Sequence, residues 1–323
     1  MSEYSVGCFG KLPIQGDFLR LNAAGPEVAE FDQWVQEGLH AAKSKLGARW
    51  EETFDASDPW QFVYPAEKAG RFLVGVSIPS RDQSGRRYPL FLFLRVDRSQ
   101  FPCPAYFAPM LFSSFWPAAR ELGQNGWVGL DGKTFLSRVE RLSVVMGDAV
   151  TVRTDFARRL ERRPAHEFWS DVFGESRRER LDVLDRNLRG LTASLRATAG
   201  ATIGFGFTVP LSRDGEYEGD DIPFWCAVLG RAAQRDLGDP ILLWSRRPAK
   251  VRPALRVSYS RPGPKTVLAL IGAPVEDESW YDLAPERRAS EGAVFLGDES
   301  RDRAPAEDEG SLAAFLRSVE TLT

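Results

Sequence analysis

The sequence predicts an α/β fold: an N-terminal domain with a mixed sheet and helices packed on both faces, followed by a smaller α/β region. Two observations lead to this prediction. Runs of aromatic and β-branched residues alternate with segments whose apolar residues recur at three- and four-residue steps. The run PLFLFLRV at 89–96 is almost continuously apolar, which is typical of a central strand covered on both faces.

The first hundred residues contain predicted strands and one long helix. Residues 4–9 form a strand that leads into a glycine-rich loop. Apolar side chains after Glu27 return every three or four positions, so an amphipathic helix is predicted to begin at Pro26 and end near Gly47. Further strands are predicted at 60–64, 71–78 and 88–96, and a turn-rich link at 79–87 joins the last two.

Helices dominate the middle of the chain, and strands return after it. Helices are predicted at 105–122, at 133–146 and within the charged stretch 154–197. Five leucines at helical spacing in that stretch favour a core-facing helix over a coiled coil, because the repeat is too short for sustained heptads; they are Leu181, Leu184, Leu188, Leu191 and Leu195. Strands are predicted at 201–209, 241–244, 254–259 and 266–271, and helices at 222–235 and 311–322.

Changes in composition divide the chain into four predicted parts. They are an N-terminal α/β domain at 1–147, a charged helical connector at 148–200, a C-terminal α/β region at 201–285, and a polar flexible tail with a terminal helix at 286–323. Aromatic-rich strands give way to arginine-rich helix at the first boundary. The tail contains few large apolar residues, which favours mobility.

The overall composition excludes several classes of protein. A net charge of −3 and a pI near 5.7 argue against a general nucleic-acid binder. The chain has neither a run of about 18 apolar residues that would span a bilayer nor a secretory signal pattern. Its cysteines, Cys8, Cys103 and Cys226, are too few and too widely spaced for a disulfide framework or a Cys-x-x-Cys metal site. We therefore expect a reduced, cytoplasmic protein without metal or cofactor.

No arrangement of residues in the sequence indicates catalysis. The histidines are His40 and His166, and neither lies in a nucleophile-elbow context. Acidic clusters at 220–221 and 276–278 lie beside glycine or proline in predicted loops, where solvation explains them better than acid–base chemistry. The sequence therefore predicts a protein that is not an enzyme.

The glycine-rich loop after the first strand raises the alternative of a phosphate site. Gly7 and Gly10 are too close together for the phosphate-binding pattern Gly-x-x-x-x-Gly-Lys-Ser/Thr, and Leu12 and Pro13 occupy the places of its hydroxyl and first helical turn. Pro13 also lacks the N–H that an anion-binding backbone would use. The alternative hypothesis is nevertheless a nucleotide- or phosphate-dependent enzyme that uses Gly10 and Lys11.

Four sequence blocks resemble the type VI secretion-associated TagF family, also called ImpM. They occur in family order in the first hundred residues: GCFGKLPIQGDF at 7–18, FDQWVQ at 31–36, PWQF at 59–62, and GVSIPSRDQSGR at 75–86 followed by YPL at 88–90. Two positions depart from the family pattern, since Cys8 replaces an aromatic residue and Arg87 stands where a tyrosine is frequent. The resemblance is thinner at 222–245 and does not extend to 150–200 or beyond 285.

The resemblance implies a cytoplasmic accessory protein of a type VI secretion system. In the TagF family the expected role is post-translational repression of secretion, with a forkhead-associated scaffold protein as the partner and without catalysis. The sequence carries nothing similar to the metal-binding acidic motifs of the phosphatase domain found in some members. The oligomeric state is left open.

The loop residues of the matching blocks form the candidate partner-binding site. We predict that two loops hold Lys11, Asp17 and Phe18 beside Asp82 and Arg86, since loops on a rigid sheet are where binding residues collect. Five residues are predicted to shape the turns: Gly7, Gly10, Gly16, Pro79 and Gly85. The alternative is that the charged residues form an internal brace between the loops.

Overall fold

The computed structural model describes residues 4–66, 69–197, 201–212, 219–245, 253–285 and 310–322. Within them, the strands are β1 Tyr4–Gly10, β2 Leu19–Leu21, β3 Trp60–Pro65, β4 Arg71–Ile78, β5 Leu90–Asp97, β6 Gly206–Pro210, β7 Ile241–Ser245, β8 Ala254–Ser258 and β9 Trp280–Asp282. The helices are α1 Pro26–Leu46, α2 Trp50–Asp55, α3 Ala108–Leu111, α4 Phe115–Gln124, α5 Gly132–Glu140, α6 Ala149–Arg162, α7 Ala165–Phe173, α8 Arg177–Ala197, α9 Asp221–Ala233, α10 Lys265–Leu270 and α11 Leu312–Glu320.

The described strands form one mixed sheet in the order β2-β1-β5-β4-β3-β7-β8-β6-β9. Neighbouring strands are antiparallel except β6 and β9, which are parallel. The pairing of β3 with β7, with Val63 opposite Leu242, joins strands from the first hundred residues to strands beyond residue 200. The predicted α/β fold with a mixed sheet is confirmed.

Helices cover both faces of the sheet because side chains alternate along the central strands. On one face, Phe31 of α1 packs against Phe62 and Phe91, with ring centroids 4.5 and 5.1 Å away. Helices α1, α2 and α10 supply this layer. On the other face, Val63 and Leu92 belong to a larger core with the remaining helices. The leucine stripe of α8 is buried in that core, as predicted.

The segment 266–271 is helical, and its predicted strand is wrong. It forms most of α10, whose Val267 and Leu268 are buried beside α1. A short apolar run has no periodicity that separates a buried strand from a short helix. Here packing against α1 favours the helix. Pro264, immediately before α10, also suits a helix start because its fixed φ is helix-compatible.

Several boundaries differ from those predicted. The helix expected at 105–122 is a 3-10 turn followed by α3 and α4, the one expected at 133–146 ends at Glu140, and the stretch 154–197 contains parts of α6, α7 and α8. The strand expected at 201–209 begins at Gly206, and β2, β9 and α2 were not predicted.

The predicted division into four parts stays a prediction, and the tail between 286 and 309 lies outside the described residues. None of the described helices combines the length and apolar character needed to cross a bilayer.

Candidate functional site

Two loops meet at one end of the sheet, and together they hold the candidate site. The first, at 11–18, follows β1; the second, at 79–89, connects β4 to β5. Because β5 lies between β1 and β4 and runs antiparallel to both, the two loops leave the sheet at the same end. A backbone hydrogen bond from Gln83 N to Gln15 O, 3.0 Å long, joins them directly. We call 11–18 and 79–89 the signature loops.

Glycines allow the first signature loop to approach the second closely. Gly10 has φ of +136°, and a Cβ at this position would lie 2.1 Å from the carbonyl oxygen of Pro89. Gly85 also has positive φ, +88°, at the turn that closes on Asp82 through a 2.9 Å backbone hydrogen bond. Of the other predicted turn residues, Gly7 lies within β1, Pro79 directly follows β4, and a Cβ added at Gly16 would meet no atom within 4 Å.

Asp82 is the centre of a charged network inside the loops. Its side chain has no exposed area, and its Oδ2 accepts hydrogen bonds from Lys11 Nζ at 2.9 Å and Arg86 Nε at 2.8 Å. Its Oδ1 accepts from the backbone N–H of Ser84 and Arg86 and from the Ser84 hydroxyl, at 2.7–3.0 Å. One carboxylate therefore holds the second loop in its turn and ties it to the first.

The electrostatics of Asp82 follow from these contacts. Its desolvation raises the pKa of the carboxyl group, but hydrogen bonds from Lys11, Ser84 and Arg86 to the charged form outweigh that effect. The net result is a pKa well below the ordinary value for aspartate. Asp82 is therefore ionised at neutral pH and has its acceptor sites occupied, which suits a structural role rather than proton transfer.

The other candidate residues lie around this network. Asp17 is exposed, and its Oδ1 accepts a 2.7 Å hydrogen bond from the backbone N–H of Phe18. Arg86 donates from Nη2 to the carbonyl oxygen of Gly16, the residue before Asp17, at 2.7 Å. The Phe18 ring stacks on Phe9, with centroids 5.2 Å apart, and Lys11 Nζ lies 5.1 Å from its centre.

The structure brings Lys11, Asp82 and Arg86 together, while Asp17 makes no ion pair with Arg86. Lys11 and Asp82 have side chains exposed by 9% and 0%, so they form the internal brace that the sequence left as an alternative. A partner would reach Arg86, Asp17 and Phe18 more readily than the carboxylate of Asp82. The assignment of all five to partner binding stays a prediction.

Sequence reasoning missed several residues beside the signature loops. Tyr88 donates its hydroxyl to Asp32 of α1, and Arg87 pairs with Asp55 and Glu51 of α2. The sequence had already marked two of these positions, because Asp32 lies in the second matching block and Arg87 departs from the family pattern. Their pairing was not predictable, however, since it depends on where α1 and α2 lie on the sheet.

Metal-ligand clusters and activated thiols do not occur in the described residues. No group of three or more His, Cys, Asp or Glu side chains among them could hold a metal ion. Cys8 and Cys226 are buried and Cys103 is half-buried, and desolvation raises the pKa of each thiol above its ordinary value. None of the three is a thiolate at neutral pH, and reactive cysteines require one.

Comparison with known proteins finds a family match for the N-terminal part of the chain. A family model described as the TagF N-terminal domain, type VI secretion system-associated, matches residues 7–141. Residues 7–141 match the TagF N-terminal domain family. The TagF resemblance is confirmed over this part of the chain, and the matching family is associated with type VI secretion. Both signature loops lie within the TagF domain.

One solved structure similar to this chain is PA0076 from Pseudomonas aeruginosa PAO1. It is 26% identical over an alignment that covers 43% of this chain and 63% of that chain, with a TM-score of 0.39. The matched part thus spans less than two thirds of the PA0076 chain. No curated protein matches this chain.

Acid is expected to weaken the TagF domain through Asp82. The pKa of Asp82 is lower in the folded than in the unfolded chain. Its ionised form therefore stabilises the fold, and this contribution is complete at pH values well above 3.8, the ordinary pKa of aspartate. That contribution is lost as the pH falls from about 5 through the lower folded pKa. We expect urea unfolding to show a free energy of unfolding that falls less steeply with acid in Asp82→Asn than in the wild type. If the free energy of unfolding fell equally steeply with acid in both proteins, this prediction would be wrong.

Proposed function

We propose that this chain is a cytoplasmic, non-enzymatic regulator that represses a type VI secretion system after translation by binding a forkhead-associated scaffold protein. The observation that carries the proposal is the TagF domain at residues 7–141. The arrangement of the signature loops supports a binding role. Their central carboxylate is buried and saturated by hydrogen bonds, and it fixes an exposed arginine at the surface.

The regulatory role is tested in the bacterium that encodes the chain. We expect deletion of its gene to raise the amount of type VI-secreted protein in the medium and overproduction to lower it, without a change in the level of that protein inside the cells. A tagged full-length chain should also capture the forkhead-associated scaffold from the lysate. A strain without a working secretion system is the control. Unchanged secretion together with no capture of the scaffold would overturn the proposal.

The alternative enzyme hypothesis gives a different result in calorimetry. Lys11 Nζ is committed to Asp82 at 2.9 Å, whereas a phosphate-binding lysine must reach its ligand. We expect magnesium–ATP and magnesium–GTP to give no binding heat with the purified chain. Micromolar binding that Lys11→Ala abolishes would instead favour a nucleotide-dependent enzyme.

A further inference from the structure

An open cleft lies between the signature loops and the corner where α1 meets α2. Its volume is about 760 Å³, within the range of roughly 300–1,000 Å³ that ligand sites occupy. Side chains from three separate segments line it, among them Lys11, Phe18, Lys43, Trp50, Arg86 and Tyr88. Cations and aromatic rings therefore share one concave surface, which we call the cation–aromatic cleft.

Arg86 presents a fixed positive charge to this cleft. Its side chain is 64% exposed, yet Nε is held by Asp82 and Nη2 by the carbonyl oxygen of Gly16. A guanidinium has five N–H donors, so these two contacts leave others for a ligand. Because the side chain is already ordered, binding an anion costs less conformational entropy than it would for a free arginine.

Lys43 supplies a second cation to the lining of the cleft. It is exposed in the last turn of α1, and Nζ lies 5.6 Å from the centre of the Trp50 ring. No carboxylate pairs with it among the residues that the structure describes. Arg87 differs, since it is only 14% exposed and already pairs with Glu51 and Asp55. Lys43 and Arg86 are therefore the two cations of the cleft most available to a ligand.

We propose that the cation–aromatic cleft is the docking site for an acidic peptide segment of the protein partner, with carboxylates paired to Lys43 and Arg86. This inference rests on the proposed function, which supplies the partner. Charge complementarity favours such a segment, because Lys43 and Arg86 keep donors for a ligand, whereas the carboxylate of Glu51, which also lines the cleft, already pairs with Arg87. The cleft is larger than a single side chain, and the rings of Phe18 and Trp50 provide an apolar surface beside the charges.

The proposal is tested by reversing one charge in the cleft and one outside it. Lys43→Glu removes a cleft cation, whereas Lys45→Glu makes the same change two positions away, at an exposed residue that does not line the cleft. We expect affinity of the full-length chain for the purified forkhead-associated scaffold to fall about tenfold or more for Lys43→Glu and less than about twofold for Lys45→Glu. Arg86→Gln should weaken binding as well, and melting temperatures establish that each variant is folded.

Each outcome separates this inference from the function on which it rests. If the wild type binds the scaffold and Lys43→Glu and Lys45→Glu bind equally well, the cleft is not the docking site, although the proposed function stands. If the wild type does not bind the scaffold, the proposed function fails and the inference with it. Loss of binding after phosphatase treatment of the scaffold would show that a phosphoryl group is the ligand and overturn the assignment to carboxylates.

Discussion

Asp82→Ala is expected to lower the free energy of unfolding by about 3–5 kcal/mol, the cost of removing one partner from a buried ion pair. The substitution leaves the ammonium of Lys11, 9% exposed, without the carboxylate that holds it at 2.9 Å. It also removes the acceptor for the backbone N–H of Ser84 and Arg86. Urea unfolding at neutral pH, followed by circular dichroism, measures the loss.

Two variants show whether the loss comes from the buried pair. Asp17→Ala removes an exposed carboxylate from the same pair of loops and should change stability by less than about 1 kcal/mol. The double variant Asp82→Ala with Lys11→Met should be more stable than Asp82→Ala alone, because it buries no unpaired charge. A loss below about 1 kcal/mol for Asp82→Ala would contradict the internal brace.

Gly10→Ala is expected to destabilise the domain by about 3 kcal/mol or more, since backbone strain and overpacking each cost about 1–3 kcal/mol. The φ of +136° at Gly10 is strained for any residue with a Cβ, and that atom would lie 2.1 Å from the carbonyl oxygen of Pro89 and 2.7 Å from the Cα of Leu90. Both neighbours are backbone atoms of the second signature loop and β5. A side-chain rotation therefore cannot relieve the clash, and the end of β1 would have to move away from the second signature loop and β5.

Gly16→Ala is the matched control, because the same glycine-to-alanine change falls only six positions away, in the first signature loop. A Cβ added at Gly16 would have no atom within 4 Å apart from those of its chain neighbours, and the φ of Gly16 is not positive. Its stability should stay within about 0.5 kcal/mol of the wild type. Melting temperatures of the two variants make the comparison, and equal shifts would mean that close approach at Gly10 is not what requires glycine.

Elements with a long and clear pattern of apolar residues were predictable from the sequence. The strands at 71–78 and 90–97 are buried on both faces and have long apolar runs, whereas the apolar residues of the helix that begins at Pro26 recur every three or four positions. The segment 266–271 is too short for either pattern to separate a strand from a helix. Its helical form depends on α1, against which Val267 packs.

The site was predictable as a pair of loops but not as a set of contacts. The spacing of glycines and the matching blocks placed Lys11, Asp82 and Arg86 in it, yet nothing local distinguishes a partner surface from an internal brace. That distinction depends on burial, and Asp82 is covered because Lys11, 71 positions earlier, lies against it. Lys43 and Trp50 of the cation–aromatic cleft were missed for the same reason.

By itself, the sequence determined the TagF resemblance of residues 7–141, most strands and the long helix of the first hundred residues, and the positions of the signature loops. These depend on patterns within a few residues, such as alternation, helical spacing and glycine-rich turns. Only the tertiary structure decided that β3 pairs with β7, that Asp82 joins two loops from inside, and that Lys43 and Arg86 line one cleft. Each of those facts joins residues far apart in the chain, and their proximity is created by packing on the sheet rather than by any local preference.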